Sequence, residues 1–165
     1  MVLQFLPGDG ATVGAALTQD PRVAGVAFTG STDTARAINR ALAGRESGPI
    51  ATLIAETGGQ NAFIADSSAL PEQLVKDAMG SAFTSAGQRC SAARVLFVQD
   101  DIADKVMGML AGAMAELKVG NPGELSTDVG PVIDAEALKK LEEHAARMDR
   151  EARLIAVTPM LEDTA

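Results

Sequence analysis

Short apolar runs alternate with helical patterns along the whole chain, and this alternation is what most constrains its fold. Val2-Leu3-Gln4-Phe5-Leu6 reads as a buried strand that stops at the turn cluster Pro7-Gly8-Asp9-Gly10. A short helix is expected from Thr12 towards Thr18, followed by a strand over residues 23–28 that ends at Thr29-Gly30-Ser31-Thr32. The spacing predicts a helix over 32–43, with Ala35, Ile38 and Leu42 on one face. Two further strands are expected near 52–55 and 62–65. Pro71 suits the first position of a helix, where its missing N–H is an orphan in any case. That helix carries Leu74, Ala78 and Phe83 towards the polar loop Ser85-Ala86-Gly87-Gln88-Arg89-Cys90-Ser91. A strand over 94–98 and a helix over 101–117 follow, the helix with Ile102, Val106, Met109, Leu110, Ala113 and Leu117 on one stripe. A last helix over 134–150 turns Leu138, Leu141, Ala145 and Met148 inward and pairs Glu136 with Lys140 at i,i+4. Strands separated by helices predict βα units and a parallel sheet, not an all-β sandwich.

Composition narrows the class. Of 165 residues, 47% are hydrophobic and 22% charged, a balance that lets one ordinary-sized chain bury a core. The longest apolar stretch, residues 106–115, is bounded by Lys105 and Glu116 and is far shorter than the ~20 residues of a membrane span. No basic segment with a following apolar run succeeds Met1, so no secretory signal is read. A net charge of -8 argues against nucleic acid as a partner. The single cysteine excludes an internal disulfide and fits a reducing, cytoplasmic compartment. One histidine and one cysteine give no basis for a metal site, and His144, among Glu142, Glu143 and Arg147, reads as a surface residue. Both ends read as cut. Val2 begins a strand with no turn before it, and Leu154-Ile155-Ala156-Val157 is an apolar run with nothing after it to pair with.

Three elements carry chemistry. A lone cysteine is ordinarily a small buried hydrophobe, but Cys90 lies in a polar Gly/Ser loop beside Arg89, a setting that favours a reactive thiolate. A thiolate suits acyl chemistry, because it attacks a carbonyl and yields a thioester that water can cleave. Glu56 ends a strand at Ala55-Glu56-Thr57-Gly58-Gly59. Most glutamates are solvated surface groups; the two glycines after this one let backbone approach a ligand closely. Phe28-Thr29-Gly30-Ser31-Thr32 leads from a strand into a helix start, whose free N–H groups suit a phosphate or, equally, need only an N-cap from Ser31 or Thr32. Gly8, Gly10 and Gly14 stand at offsets unlike those of the common dinucleotide fingerprint.

Phe-Thr-Gly-Ser-Thr, then Glu-Thr-Gly-Gly-Gln-Asn, then Gly-Gln-Arg-Cys-Ser, in that order over most of the chain, resembles the aldehyde dehydrogenase superfamily. Thr57, where most members carry Leu, and the segments 85–92 and 125–133 resemble its L-glutamate γ-semialdehyde (Δ1-pyrroline-5-carboxylate) dehydrogenase branch in bacterial bifunctional proline-catabolic proteins. The resemblance implies an α/β fold. Residues 1–55 would be the end of a Rossmann-type NAD-binding domain, and 56–165 the first half of the catalytic domain. It implies Cys90 as nucleophile, with its backbone N–H in the oxyanion site, and Glu56 as the base that activates the hydrolytic water. It implies Gly30, Ser31, Gly10, Thr57 and Gly58 on the NAD side, and Ser91 on the substrate carboxylate. The implied cofactor is NAD, and the implied partner is a small aldehyde. The parent is expected to be a homo-oligomer in the cytoplasm, with peripheral association at the inner membrane left open. Several family parts have no counterpart here, among them the oxyanion asparagine and the residues that bind the adenosine and nicotinamide riboses. The chain by itself is therefore expected to be inactive. The alternatives are another semialdehyde or simple aldehyde dehydrogenase, and a truncated relic that keeps the fold without the chemistry.

Overall fold

The computed structural model of the chain describes residues 2–159, which divide into two units, one ending at Gly58 and the other beginning at Gly59. In the first, β1 (Gly25–Gly30) pairs in parallel with β2 (Thr52–Thr57), from Gly25 opposite Thr52 to Gly30 opposite Thr57. The crossover is α2 (Thr32–Ala43), which buries Ala35 and Leu42 at helical spacing. Ser31 caps it by accepting a hydrogen bond from the Thr34 N–H at 3.1 Å, and the helix ends at Gly44. Before β1, a π-helical turn at Gly10–Gly14 runs into α1 (Ala15–Gln19), which packs on α2.

Arg45 ties the exit of α2 to the entry of β1. Its guanidinium donates to the carbonyls of Asp20 and Val23, each at 2.8 Å, and to that of Pro49 at 3.2 Å. In the same turn the Arg22 side chain, hydrogen-bonded to Asp20, holds the Asp20 carboxyl down at about 2. The strand expected over 23–28 is shifted by two residues. Thr29 and Gly30, which read as a turn, form the last rungs of the ladder opposite Glu56 and Thr57.

In the second unit, β3 (Ala62–Ala65) pairs in parallel with β4 (Val95–Val98), with α3 (Pro71–Phe83) as crossover, and α4 (Asp100–Ala115) follows β4. Pro71 stands at the helix start as expected. The core lies where the sheet meets α3 and α4. Ala65, Leu74, Val75 and Val106 are buried there, with Phe63, Leu96, Val98, Ile102, Met109, Leu110 and Ala113 packed around them. Val106, at 1% exposure, is its centre, and the stripe read along α4 faces this cluster from Ile102 to Ala113, whereas Leu117 lies past the end of the helix and outside the cluster. Beyond α4, Lys118 and Gly120 bond back to Asp128 and Val129, closing the loop between them. The last helix, α5 (Ala135–Glu151), is capped by Asp134 and carries the Glu136–Lys140 ion pair at 2.6 Å.

Three expectations are corrected. Residues 2–6 form no strand and, among the described residues, join neither β1 nor β2; Val2, Leu3 and Phe5 are exposed, so their backbone groups are left to solvent. Likewise 154–157 forms no strand. Leu154, Ile155 and Ala156 lie instead beside Met107, Leu110 and Met114 of α4 and Met148 of α5, around an apolar cavity of about 260 Å³. The α5 stripe faces no core along most of its length: Leu138 and Leu141 are 48% and 51% exposed, and only Met148, at its far end, meets α4 across the cavity. Residues 160–165 lie outside the described part, and among the described residues no helix is long and apolar enough to cross a membrane.

This core makes a direct prediction. Leu74→Ala removes a fully packed side chain and is expected to lower stability by about 2–5 kcal/mol. Glu72→Ala, two residues away, breaks only an exposed pair with Lys105 at 3.8 Å and is expected to cost below about 1 kcal/mol. Urea unfolding midpoints of the two variants check the difference.

Candidate active site

The first unit gathers most of its candidate residues at one edge. Because β1 and β2 run in parallel with Thr29 opposite Glu56 and Gly30 opposite Thr57, the carboxyl ends of both strands deliver Gly30-Ser31 and Glu56-Thr57-Gly58 side by side. In open α/β sheets, this edge is where ligands sit. Glu56 is exposed there and Thr57 half-buried. A Cβ on Gly30 would run into the Phe28 ring, so the strand end stays bare where α2 begins; at Gly58 a Cβ would meet nothing within 4 Å. The Ser31 hydroxyl is engaged as the helix cap, accepting from the Thr34 N–H and donating to Thr34 Oγ1 at 2.9 Å. Its backbone, not its side chain, is therefore the part available to a phosphate. Asp33 in the first turn opposes such an anion, with Arg36 3.7 Å from its carboxylate.

Gly10 is placed elsewhere. It opens the π-helical turn, exposed, with open space where a Cβ would be. Asp9 caps that turn through the Thr12 N–H and hydroxyl, each at 2.8 Å, and these bonds hold its carboxyl below the usual carboxylate range.

The second unit carries Cys90 and Ser91, both exposed, in a loop between α3 and β4. The loop begins with a tight turn, Thr84–Gly87, in which Ser85, Ala86 and Gly87 are all left-handed (φ 58°, 53° and 67°). Left-handed backbone at two residues with side chains costs about 1–2 kcal/mol each, so other interactions must hold it. Two side chains, Arg94 and Gln88, do so, and a third, Asn61, holds the tip of the loop. Arg94 donates to the Gly87 carbonyl at 2.7 Å. Gln88 accepts from the Ile133 N–H at 2.7 Å and donates to the Ser85 carbonyl at 3.1 Å. Asn61 donates from Nδ2 to the carbonyls of Cys90 at 2.6 Å and Ala92 at 2.9 Å.

The N–H groups of Cys90 and Ser91 donate to no partner among the described residues, whereas those of Ala92 and Ala93 bond to the Arg89 carbonyl and Ser81 Oγ. Two free amides beside an exposed thiol are suited to an oxyanion or a carboxylate.

Gly87 is fixed twice over. A Cβ there would lie 2.8 Å from the Ala82 carbonyl oxygen and 3.2 Å from Arg94 Nη1, on backbone that already favours glycine. Gly87→Ala is expected to cost about 2–4 kcal/mol by adding left-handed strain to overpacking. Urea unfolding of the 165-residue chain checks it.

Asn61, Gln88 and Arg94 stand within the motifs quoted above or next to them, yet sequence reasoning gave them no task. Their partners lie up to 45 residues away, and no local period signals such bonds. His144 is exposed beside Arg147, as read.

With this βα architecture and cysteine loop in view, a model of the aldehyde dehydrogenase family matches residues 1–159, and the chain belongs to that family. It is 59% identical over 155 residues to the bifunctional protein PutA of Escherichia coli, covering 92% of this chain but 12% of that protein. To the 1-pyrroline-5-carboxylate dehydrogenase of Geobacillus thermodenitrificans it is 36% identical, over 93% of this chain and 30% of the relative. Among solved structures, Bradyrhizobium japonicum proline utilization A, in a mutant form, superposes with a TM-score of 0.91 at 59% identity. That match covers 95% of this chain and 16% of the other. The chain thus spans about an eighth of the length of its PutA relatives.

Proposed function

We propose that this chain is a segment of an NAD-dependent L-glutamate γ-semialdehyde dehydrogenase, which makes glutamate in the second step of proline catabolism. The observation that carries the reading is the cysteine loop: an exposed Cys90 beside two unpartnered backbone N–H groups, on backbone held by three side chains from outside the loop's tip. Family membership and the names of the relatives support it.

In this reading Cys90 Sγ, as thiolate, adds to the aldehyde carbon and forms a C–S bond. The negative charge that develops on the oxygen is met by the Cys90 N–H. Bound NAD supplies the acceptor for the hydride that leaves the carbon, so that a thioester remains on Cys90. Glu56 takes a proton from water, the hydroxide adds to the thioester, and the C–S bond breaks to leave the thiolate and a carboxylic acid, which gives its proton to solvent and departs as the carboxylate. Ser91 holds the substrate's own carboxylate. The bare carboxyl edge of β1 and β2, where α2 opens, fits the cofactor, with Gly30, Ser31, Thr57 and Gly58 against it. Gly10 is assigned to the adenosine side. The domain boundary falls near residue 55, and the enzyme works in the cytoplasm as a homo-oligomer.

The test grafts this chain into the matching segment of E. coli PutA. The graft is expected to reduce NAD with glutamate semialdehyde and to prefer it to propanal. Ser91→Ala is expected to narrow that preference. Equal rates on both aldehydes would refute the substrate assignment.

A further inference from the structure

The geometry points to Asn61 as the positioning residue for the nucleophile, through one carboxamide that spans two carbonyls of the cysteine loop. The inference rests on the reading of Cys90 given above. Asn61 Nδ2 donates one hydrogen to the Cys90 carbonyl at 2.6 Å and the other to the Ala92 carbonyl at 2.9 Å. Its own backbone carbonyl accepts from the Arg94 N–H at 2.9 Å and the Val95 N–H at 3.2 Å. One residue at the entry to β3 therefore fixes both the tip of the loop and its landing in β4.

The direction of these bonds matters. In a trans peptide the C=O and the following N–H point opposite ways. With the Cys90 carbonyl turned to Asn61, the Ser91 N–H faces away from it and stays unpartnered among the described residues. With the Ala92 carbonyl turned the same way, the Ala93 N–H faces Ser81 Oγ, 3.3 Å away. Asn61 thus sets which face of the Cys90–Ser91 peptide is presented to a substrate. Arg94 and Gln88 hold the base of the loop at Gly87 and Ser85, and neither reaches the Cys90 carbonyl. Side chains at 61 that lack a paired donor leave that peptide free to turn. A shift of about 1 Å at a reacting atom is enough to cost ~10²-fold in rate.

The test uses the PutA graft, with turnover expressed per Cys90 titrated by iodoacetamide. Asn61→Ala is expected to lower kcat per titrated site by roughly 10–100-fold, with the KM for NAD changed less than about twofold. Asn61→Asp, which sets a carboxylate against two carbonyl oxygens, is expected to fall lower still. Asn61→Ser keeps one donor, should lie between Ala and the unaltered graft, and decides the matter if the Ala variant is insoluble. A kcat per site within twofold of the unaltered graft in the Ala or Ser variant overturns the inference. So does a fall only in the titratable fraction, which is what a purely structural role would give. If Cys90→Ala in the same graft keeps full activity, the functional reading itself fails, an outcome separate from any result at Asn61.

Discussion

Glu56→Gln in the PutA graft is expected to stop the enzyme half-way. Gln keeps the shape of the side chain and loses its capacity to take a proton, and an exposed position at the end of β2 tolerates the exchange without loss of fold. In the proposed reaction, attack by Cys90 and loss of hydride do not need the carboxylate, so one equivalent of NADH per site should appear at close to the normal rate. Hydrolysis then lacks its base. Steady turnover is expected to drop by roughly 10²–10⁴-fold, the usual worth of a positioned general base. Stopped-flow absorbance of NADH separates the burst from the slow phase. Loss of burst and turnover together would place Glu56 in an earlier step.

The second large effect is at Cys90 itself. Cys90→Ala leaves no atom to bond to the aldehyde carbon, and Cys90→Ser leaves a hydroxyl with no general base bonded to it. Both are expected to lose about 10⁴-fold or more in turnover. Stability should barely move, because the side chain is exposed. NAD affinity should also hold, because the residues assigned to the cofactor, Gly30, Ser31, Thr57 and Gly58 at the β1–β2 edge and Gly10 in the π-helical turn, all lie outside the cysteine loop. Calorimetric titration of NAD and thermal unfolding of the Ala variant check these two expectations. More than about a hundredth of the original turnover in that variant would mean that the thiol is not the nucleophile.

Much of this architecture could be read from local pattern. The helix over 32–43 and the strand over 62–65 are found at those residues, since Ala35 and Leu42 mark a helical face and 62–65 is a compact apolar run. Where the sequence misled, tertiary partners decided. The apolar run 2–6 has strand character but joins neither strand of its unit, and the stripe on α5 has the right period but leaves Leu138 and Leu141 half exposed. Thr29 and Gly30 carry turn chemistry, yet pairing with Glu56 and Thr57 draws them into β1.

The candidate site divides in the same way. Cys90 and Glu56 stand out because reactive residue types sit in unusual glycine-rich settings. The clamps on the loop do not, because an Asn 29 residues before the carbonyl it holds leaves no trace in periodicity. Nor does the left-handed turn at Ser85 and Ala86, where neither residue type announces a positive φ.

The most direct test of the account is to find where the substrate carbon is attached. The Glu56→Gln graft would be mixed with glutamate semialdehyde and NAD, quenched in acid after the burst, and digested with trypsin. Cleavage after Arg89 and Arg94 releases Cys90-Ser91-Ala92-Ala93-Arg94 as a short peptide. This peptide is expected to carry one glutamyl group, bound as a thioester and released by hydroxylamine. An unmodified Cys90 peptide after a full burst of NADH would contradict it.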